Sequence, residues 1–253
     1  MNNSIIWLQN VDSTNNEALR RMDGLDNMSV ISAYCQTAGR GQKGNRWSSV
    51  PGENLTFSIV LKFADSPENA CGEIKFIEAV NQFIINEITT LAVVNFLAAH
   101  GVEAKIKWSN DIYVGDRKIC GILIENSVSG RHLSRSIIGI GINVNQREFP
   151  AELPNPTSMV REGCTPLSVE SLLSEFMDCF RAAMTLTPAQ LREQYLGLMY
   201  RRGTAHQYRI LPSGETFTGT ITGIDPIGRL VILPVDSATP LIFGFKEIAF
   251  LIN

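Results

Sequence analysis

Residues 36–49, Gln36-Thr37-Ala38-Gly39-Arg40-Gly41-Gln42-Lys43-Gly44-Asn45-Arg46-Trp47-Ser48-Ser49, restrict the fold through what stands on either side of them. They contain G-x-G-x-x-G at Gly39, Gly41 and Gly44. A dinucleotide-binding turn of that pattern needs a strand before it and a helix opening within it, because the helix N-terminus holds the pyrophosphate. A strand-like run, Val30 to Cys35, does precede. A turn cluster and a second β-branched, apolar run, Leu55 to Leu61, follow. No helix opens here, so the Rossmann reading fails on context. A protein-kinase glycine loop does lie between strands, but H-R-D and D-F-G are both missing from the chain.

The same loop carries Arg40, Lys43 and Arg46, and no acid appears until Glu53. In a chain of formal net charge -3 such a concentration calls for an anionic partner. Backbone N–H groups and guanidinium forks on a glycine-rich loop can wrap phosphate or carboxylate together. The remaining composition is that of an ordinary globular chain, 44% hydrophobic and 19% charged over 253 residues, enough for one large domain or a domain with an appendage. A pI near 5.7 gives no reason to expect non-specific nucleic-acid binding. Met1-Asn2-Asn3-Ser4 lacks the basic and apolar regions of a signal peptide, and no run of 18 apolar residues predicts a membrane span. Five scattered cysteines (35, 71, 120, 164 and 179), without C-x-x-C, read as free thiols of a cytoplasmic protein.

In chain order, Ile5 to Leu8 reads as a short strand, and Thr14 with Glu17 predicts a capping box opening a short helix. Apolar residues at 74, 77, 80, 84, 88, 91 and 94 predict one long or two consecutive helices over 73–100, ended by Gly101. Lys105 to Val114, interrupted at Ser109-Asn110-Asp111, turns at Gly115-Asp116 into Lys118 to Glu125. A further hairpin near Ser129-Gly130 leads into Ser136 to Asn145. Glycines inside these strands, at 121, 139 and 141, mark places where a ligand can approach the backbone. Helices are predicted over Ser168–Ala183 and Pro188–Tyr200, the latter with Thr187 as N-cap and proline at N1. After Arg202-Gly203, short strands over 207–211, 216–221, 229–234 and 241–251 predict a small β-barrel. Antiparallel strands with helices before and after give an α+β fold.

Side-chain nucleophilic catalysis has little support. The histidines, 100, 132 and 206, stand in no serine or cysteine motif, and no Cys/His spacing suits zinc. Ser13, Thr14 and Asn15 serve either as helix caps or as donors and acceptors for a small polar ligand; position alone leaves both open. Lys107, Asn110, Asp111, Arg117, Lys118 and Asn143 are polar residues at strand ends or turns. With the loop they offer cations from separate segments, several amides and one carboxylate, parts that a nucleoside triphosphate with Mg²⁺ would use.

These blocks carry a resemblance. Gly39-Arg40-Gly41 through Trp47, Lys107 to Asp111, Lys118 to Glu125 and Gly139 to Asn143 resemble, in order, the signature blocks of biotin–protein ligases, and Asp12 to Asn15 resembles the family's opening motif. The resemblance implies a class II synthetase-like, mixed but largely antiparallel sheet with flanking helices over residues 1–201. It implies an SH3-like C-terminal domain over 202–253. It further implies activation of biotin by ATP to biotinyl-5′-AMP, with Mg²⁺, and transfer to a lysine of a carboxylase's biotin carrier domain. Lys118 and Arg40 would be catalytic. Ser13, Thr14, Asn15, Gln36, Gly39, Arg40, Gly41, Gln42, Lys118 and Gly121 would contact biotin. Arg40, Gly41, Trp47, Asn110, Lys118 and Asn143 would contact ATP or the adenylate, and Asp111 the metal. Two positions depart from the pattern: Gln42 stands where a basic residue is common, and Ser109 where proline is usual. With about 11 residues before the first motif there is no room for the helix-turn-helix of the repressor members, so the expectation is a monofunctional enzyme, monomeric or homodimeric, without nucleic-acid or membrane partners. The same fold suits a lipoyl or octanoyl ligase or transferase, and a non-catalytic biotin or nucleotide sensor would bind the same ligands.

Overall fold

The computed structural model describes residues 4–70 and 75–252; Cys71 and Ile74, named above, lie outside them. Strands β1 (Ile5–Val11), β2 (Val30–Gln36), β3 (Leu55–Lys62), β4 (Lys105–Lys107), β5 (Asp111–Val114), β6 (Arg117–Ser129) and β7 (His132–Ile142) form a seven-stranded sheet in the order β1-β2-β3-β7-β6-β5-β4. Only the β1–β2 pair in this sheet is parallel. Helix α1 (Thr14–Arg20) connects these two parallel strands.

The period-2 alternation of the central strands sorts the two faces. Leu55, Phe57, Ile59 and Leu61 of β3 enter the main core, as do Cys120 and Ile122 of β6 and Ile138, Ile140 and Ile142 of β7. Helices α2 (Phe83–Ala99) and α3 (Val169–Met184) cover that face through Leu91, Phe96, Phe176 and Phe180. The intervening positions lie on the opposite face, where Ile31, Val60 and Ile137 pack with Ala18 and Met22 as a small second cluster. On that face Gly121 pairs with Gly141, Thr56 with Gly141 and Ser58 with Gly139, so small residues leave a bare patch in the middle of the sheet beside Leu123. That bare patch positions the site.

Three expectations need correction. The helix expected from residue 73 begins at Phe83. Ile77 O and Ala79 N instead bond Leu133 N and Arg131 O, and Glu78 bridges His132, so pairing with β7 overrides helical periodicity there. Ala79–Ala99 is apolar and long enough to cross a bilayer, but two thirds of it is buried within the fold, as a core helix is. The Thr14/Glu17 capping box is absent: Ser13 is the N-cap, without a side-chain cap, and Glu17 pairs with Arg20 and Arg21. The last tail strand is two, β11 (Leu241–Phe243) and β12 (Ile248–Phe250). Helix α4 (Pro188–Leu198) has the expected Thr187 cap, completed as a capping box by Gln190.

Strands β8 (Ala205–Ile210), β9 (Thr216–Ile224), β10 (Leu230–Pro234), β11 and β12 form a second, antiparallel sheet in the order β11-β10-β9-β8-β12. Its Tyr208, Ile221, Leu230, Ile232, Phe243 and Ile248 are continuous with the main core. The Trp108 indole donates to Gly228 O at 2.9 Å. Gly228 has φ +89°, and a Cβ there would sit 2.2 Å from the Phe83 ring.

Candidate active site

The 36–49 segment folds back on itself. Arg40 and Arg46 form an antiparallel bridge, Gly41 N donates to Asn45 O at 2.7 Å and Trp47 N to Gly39 O at 3.0 Å, around a 3-10 turn at Gln42–Gly44. Gly39 is required by this closure, because a Cβ would meet Trp47 O at 2.3 Å. The turn delivers the Trp47 indole flat onto the bare patch: Cβ atoms at Gly121 and Gly141 would lie 2.9 and 2.4 Å from its ring. These strand glycines are therefore sites of close approach, as the sequence suggested, and part of what approaches is the protein's own tryptophan.

Between the hairpin, the sheet and segment 149–156 lies a cavity of about 740 Å³. Its walls include Ser13, Thr14, Asn15, Gln36, Arg40, Gly41, Gln42, Trp47, Asp111, Lys118, Gly121 and Asn143. Of the predicted contacts, Gly39 and Asn110 are not on its wall. Gly39 acts within the hairpin. Asn110 is buried and its amide donates to Ile122 O of β6. The Trp108–Ser109 peptide preceding it is cis. Arg117 is also off the wall, paired with Glu162 at 2.9 Å. Lys107 Nζ lies behind the wall, donating to Tyr113 Oη at 3.0 Å, and burial pushes its pKa below the ordinary lysine value.

One part of the cavity wall is rich in donors and acceptors. Gln36 Oε1 accepts from Thr14 N at 2.9 Å, and the Ser58 hydroxyl donates to Asn15 Oδ1 at 2.6 Å while lying 2.8 Å from Thr14 Oγ1. Thr14 and Asn15, 3% exposed, are thus fixed by tertiary bonds rather than by capping. Asn15 Nδ2 donates to Glu125 Oε2 at 2.8 Å. Sequence reasoning missed Ser58 and Glu125; the alternation of β3, which puts Ser58 on the glycine face, was the available signal.

Two cations also reach the wall, Arg40 from the hairpin and Lys118 from β6. Arg40 meets Glu125 through Nη2–Oε1 at 2.7 Å and Nη1–Oε2 at 3.1 Å, and Lys118 Nζ meets Asp111 Oδ1 at 2.7 Å. Lys118 is clamped by its backbone: its N donates to Asn155 O at 2.7 Å and its O accepts from Thr157 N at 2.9 Å. Segment 149–156 had no predicted role, yet it supplies Phe149, Pro150 and the run Glu152–Pro156 to the wall. Two buried polar atoms beside the cavity, Trp47 Nε1 and Asn143 Oδ1, have no partner among the described residues. A donor and an acceptor left in this state suit a ligand that supplies their complements. Among the described residues no three His, Cys, Asp or Glu gather to hold a metal. Asp111, on the wall and ion-paired with Lys118, offers one carboxylate to a cation carried in on nucleotide phosphates.

The architecture is that of the biotin protein ligases. The solved biotin protein ligase of Aquifex aeolicus, in complex with biotin and ATP, superimposes with a TM-score of 0.74 at 25% identity, over 97% of each chain. The chain belongs to the biotin/lipoate A/B protein ligase family, whose model matches residues 7–143. Among curated relatives it is 32% identical over 213 residues to the bifunctional ligase/repressor BirA of Bacillus spizizenii, covering 80% of this chain and 61% of that one. It is 28% identical over 247 residues to the biotin--[acetyl-CoA-carboxylase] ligase of Paracoccus denitrificans, covering 89% and 96%. The chain thus spans less than two thirds of the first of these relatives and nearly all of the second.

Proposed function

We propose that the protein couples biotin to ATP, forming biotinyl-5′-AMP, and passes the biotinyl group to a lysine of a carboxylase's biotin carrier domain. The observation that carries this reading is the arrival of Arg40 and Lys118, from a loop and from a strand, on one cavity floored by glycine. In the first step a biotin carboxylate oxygen attacks the α-phosphorus, a carboxyl–phosphate bond forms, and pyrophosphate leaves with the electrons of the broken P–O bond. Both reactants are anions, and their mutual repulsion has to be screened where they meet. Arg40 and Lys118 supply positive charge from two directions, positioned before reaction rather than recruited during it. In the second step a lysine amine attacks the acyl carbon and AMP departs.

The Thr14–Gln36–Asn15–Ser58 array suits the polar head group, and Trp47 with the glycine floor suits its apolar remainder. Asp111 would be the protein carboxylate for a Mg²⁺ carried on the triphosphate, which would supply neutralising charge at the phosphates. The hairpin keeps water from the mixed anhydride by lying over the sheet. Cys35, Cys120, Cys164 and Cys179, all free thiols, support a cytoplasmic location.

Incubation with biotin, MgATP and a biotin carrier domain, followed by intact mass of the carrier, tests this reading. One biotinyl adduct on a carrier lysine is expected. An adduct formed with lipoate and not with biotin would assign the chain to lipoyl transfer instead.

A further inference from the structure

Arg40 presents its fork to Glu125 through both terminal nitrogens, at 2.7 and 3.1 Å, and Nη1 also donates to Asn16 Oδ1 at 2.8 Å. The face of the guanidinium best suited to grip a carboxylate therefore already grips one. Glu125 is itself aimed by Asn15 Nδ2 at 2.8 Å, and Asn15 is held by Ser58 at 2.6 Å. The Arg40 and Glu125 side chains are 41% and 37% exposed, so the pair is partly solvated and cheap to open.

We infer that Glu125 is a placeholder for the substrate anion: it holds Arg40 over the cavity in the empty protein and yields that fork when the substrate carboxylate or the adenylate arrives. This rests on the function proposed above. An arriving anion has two routes, displacing Glu125 from the fork or sharing the guanidinium beside it. In the first it must break the ion pair, and in the second it must tolerate a like charge a few ångströms away. Both routes give the same sign, because neutralising Glu125 removes the competitor and the repulsion together. Asn15 Nδ2 and Arg40 Nη1 share Glu125 Oε2, at 2.8 and 3.1 Å, so Glu125 is a positioning residue acting through Arg40.

The test compares two ligands on the full chain by calorimetry: biotin, and biotinol, the same skeleton with an uncharged alcohol in place of the carboxylate. Glu125→Gln keeps an acceptor for Asn15 and removes the charge. It is expected to bind biotin roughly three- to tenfold more tightly than the unsubstituted protein, with biotinol affinity unchanged. Glu125→Ala should shift biotin affinity in the same direction. Unchanged or weaker biotin binding by Glu125→Gln, or equal shifts for both ligands, overturns the placeholder role and leaves the proposed function standing. An unsubstituted protein that binds neither ligand overturns that function and the placeholder with it.

Discussion

Gly139 and Gly141 have no side chain because other residues lie on them. A Cβ at 139 would come within 2.2 Å of Asn15 Oδ1, and one at 141 within 2.4 Å of the Trp47 ring. Overpacking of this kind costs about 1–3 kcal/mol where neighbours cannot yield. Asn15 is pinned by Ser58, Glu125 and Leu123 O, so Gly139→Ala is expected to displace it and weaken biotin binding roughly tenfold or more while the protein stays folded, as titration calorimetry beside a melting curve would register. The strand glycines were legible in the sequence as places of close approach. What approaches them was not, because the contact is made by residues more than 70 positions away in the chain. Asn110 bonds Ile122 O, a long-range contact that its place in a signature block does not signal.

Among the elements, the hairpin at 39–47 and helix α2 mark where sequence reading succeeded and where it failed. Three glycines between two strands announced a turn-rich loop, and local chemistry was sufficient to place it. Helix α2 starts ten residues later than the apolar spacing predicts, because Ile77 O and Ala79 N pair with Leu133 N and Arg131 O at the start of β7, and no local pattern signals that long-range pairing. The helix is held against α4 by Glu87, 3% exposed, paired with Arg192, whose Nη1 also reaches Asp225 O at 3.0 Å. Burial raises the Glu87 pKa, and Arg192 opposes that shift. Arg192→Met would leave a buried, unpaired carboxylate and is expected to destabilise the protein by about 3 kcal/mol at neutral pH. A folded pKa above the unfolded value, about 4.3, means that the loss is greatest at higher pH. It should shrink as pH falls toward that value and Glu87 becomes neutral, and chemical denaturation at several pH values would follow this trend.

In the molecule as a whole the two sheets share one apolar interior, from Phe57 and Phe96 under the large sheet to Tyr208, Leu230 and Ile248 under the small one. The Trp108–Gly228 bond and the Gly228–Phe83 contact cross the same seam. A core without a break predicts cooperative loss of both sheets. Tryptophan fluorescence, which reports Trp7, Trp47 and Trp108 in the N-terminal part, is expected to coincide with far-ultraviolet circular dichroism across a denaturant titration. Two separated transitions would mean that the tail folds on its own. Its change of rhythm after residue 202 was plain in the sequence, whereas its fusion with the main core was not, since burial between elements leaves no local period.

Two cations brought to one cavity from distant parts of the chain can be tested directly through biotin-dependent exchange of labelled pyrophosphate into ATP. The unsubstituted protein should exchange label only when biotin is present, and Lys118→Ala should lower that rate by roughly 10²- to 10³-fold. Exchange that proceeds undiminished in Lys118→Ala, or that ignores biotin altogether, would contradict the convergence of Arg40 and Lys118 as the source of activation.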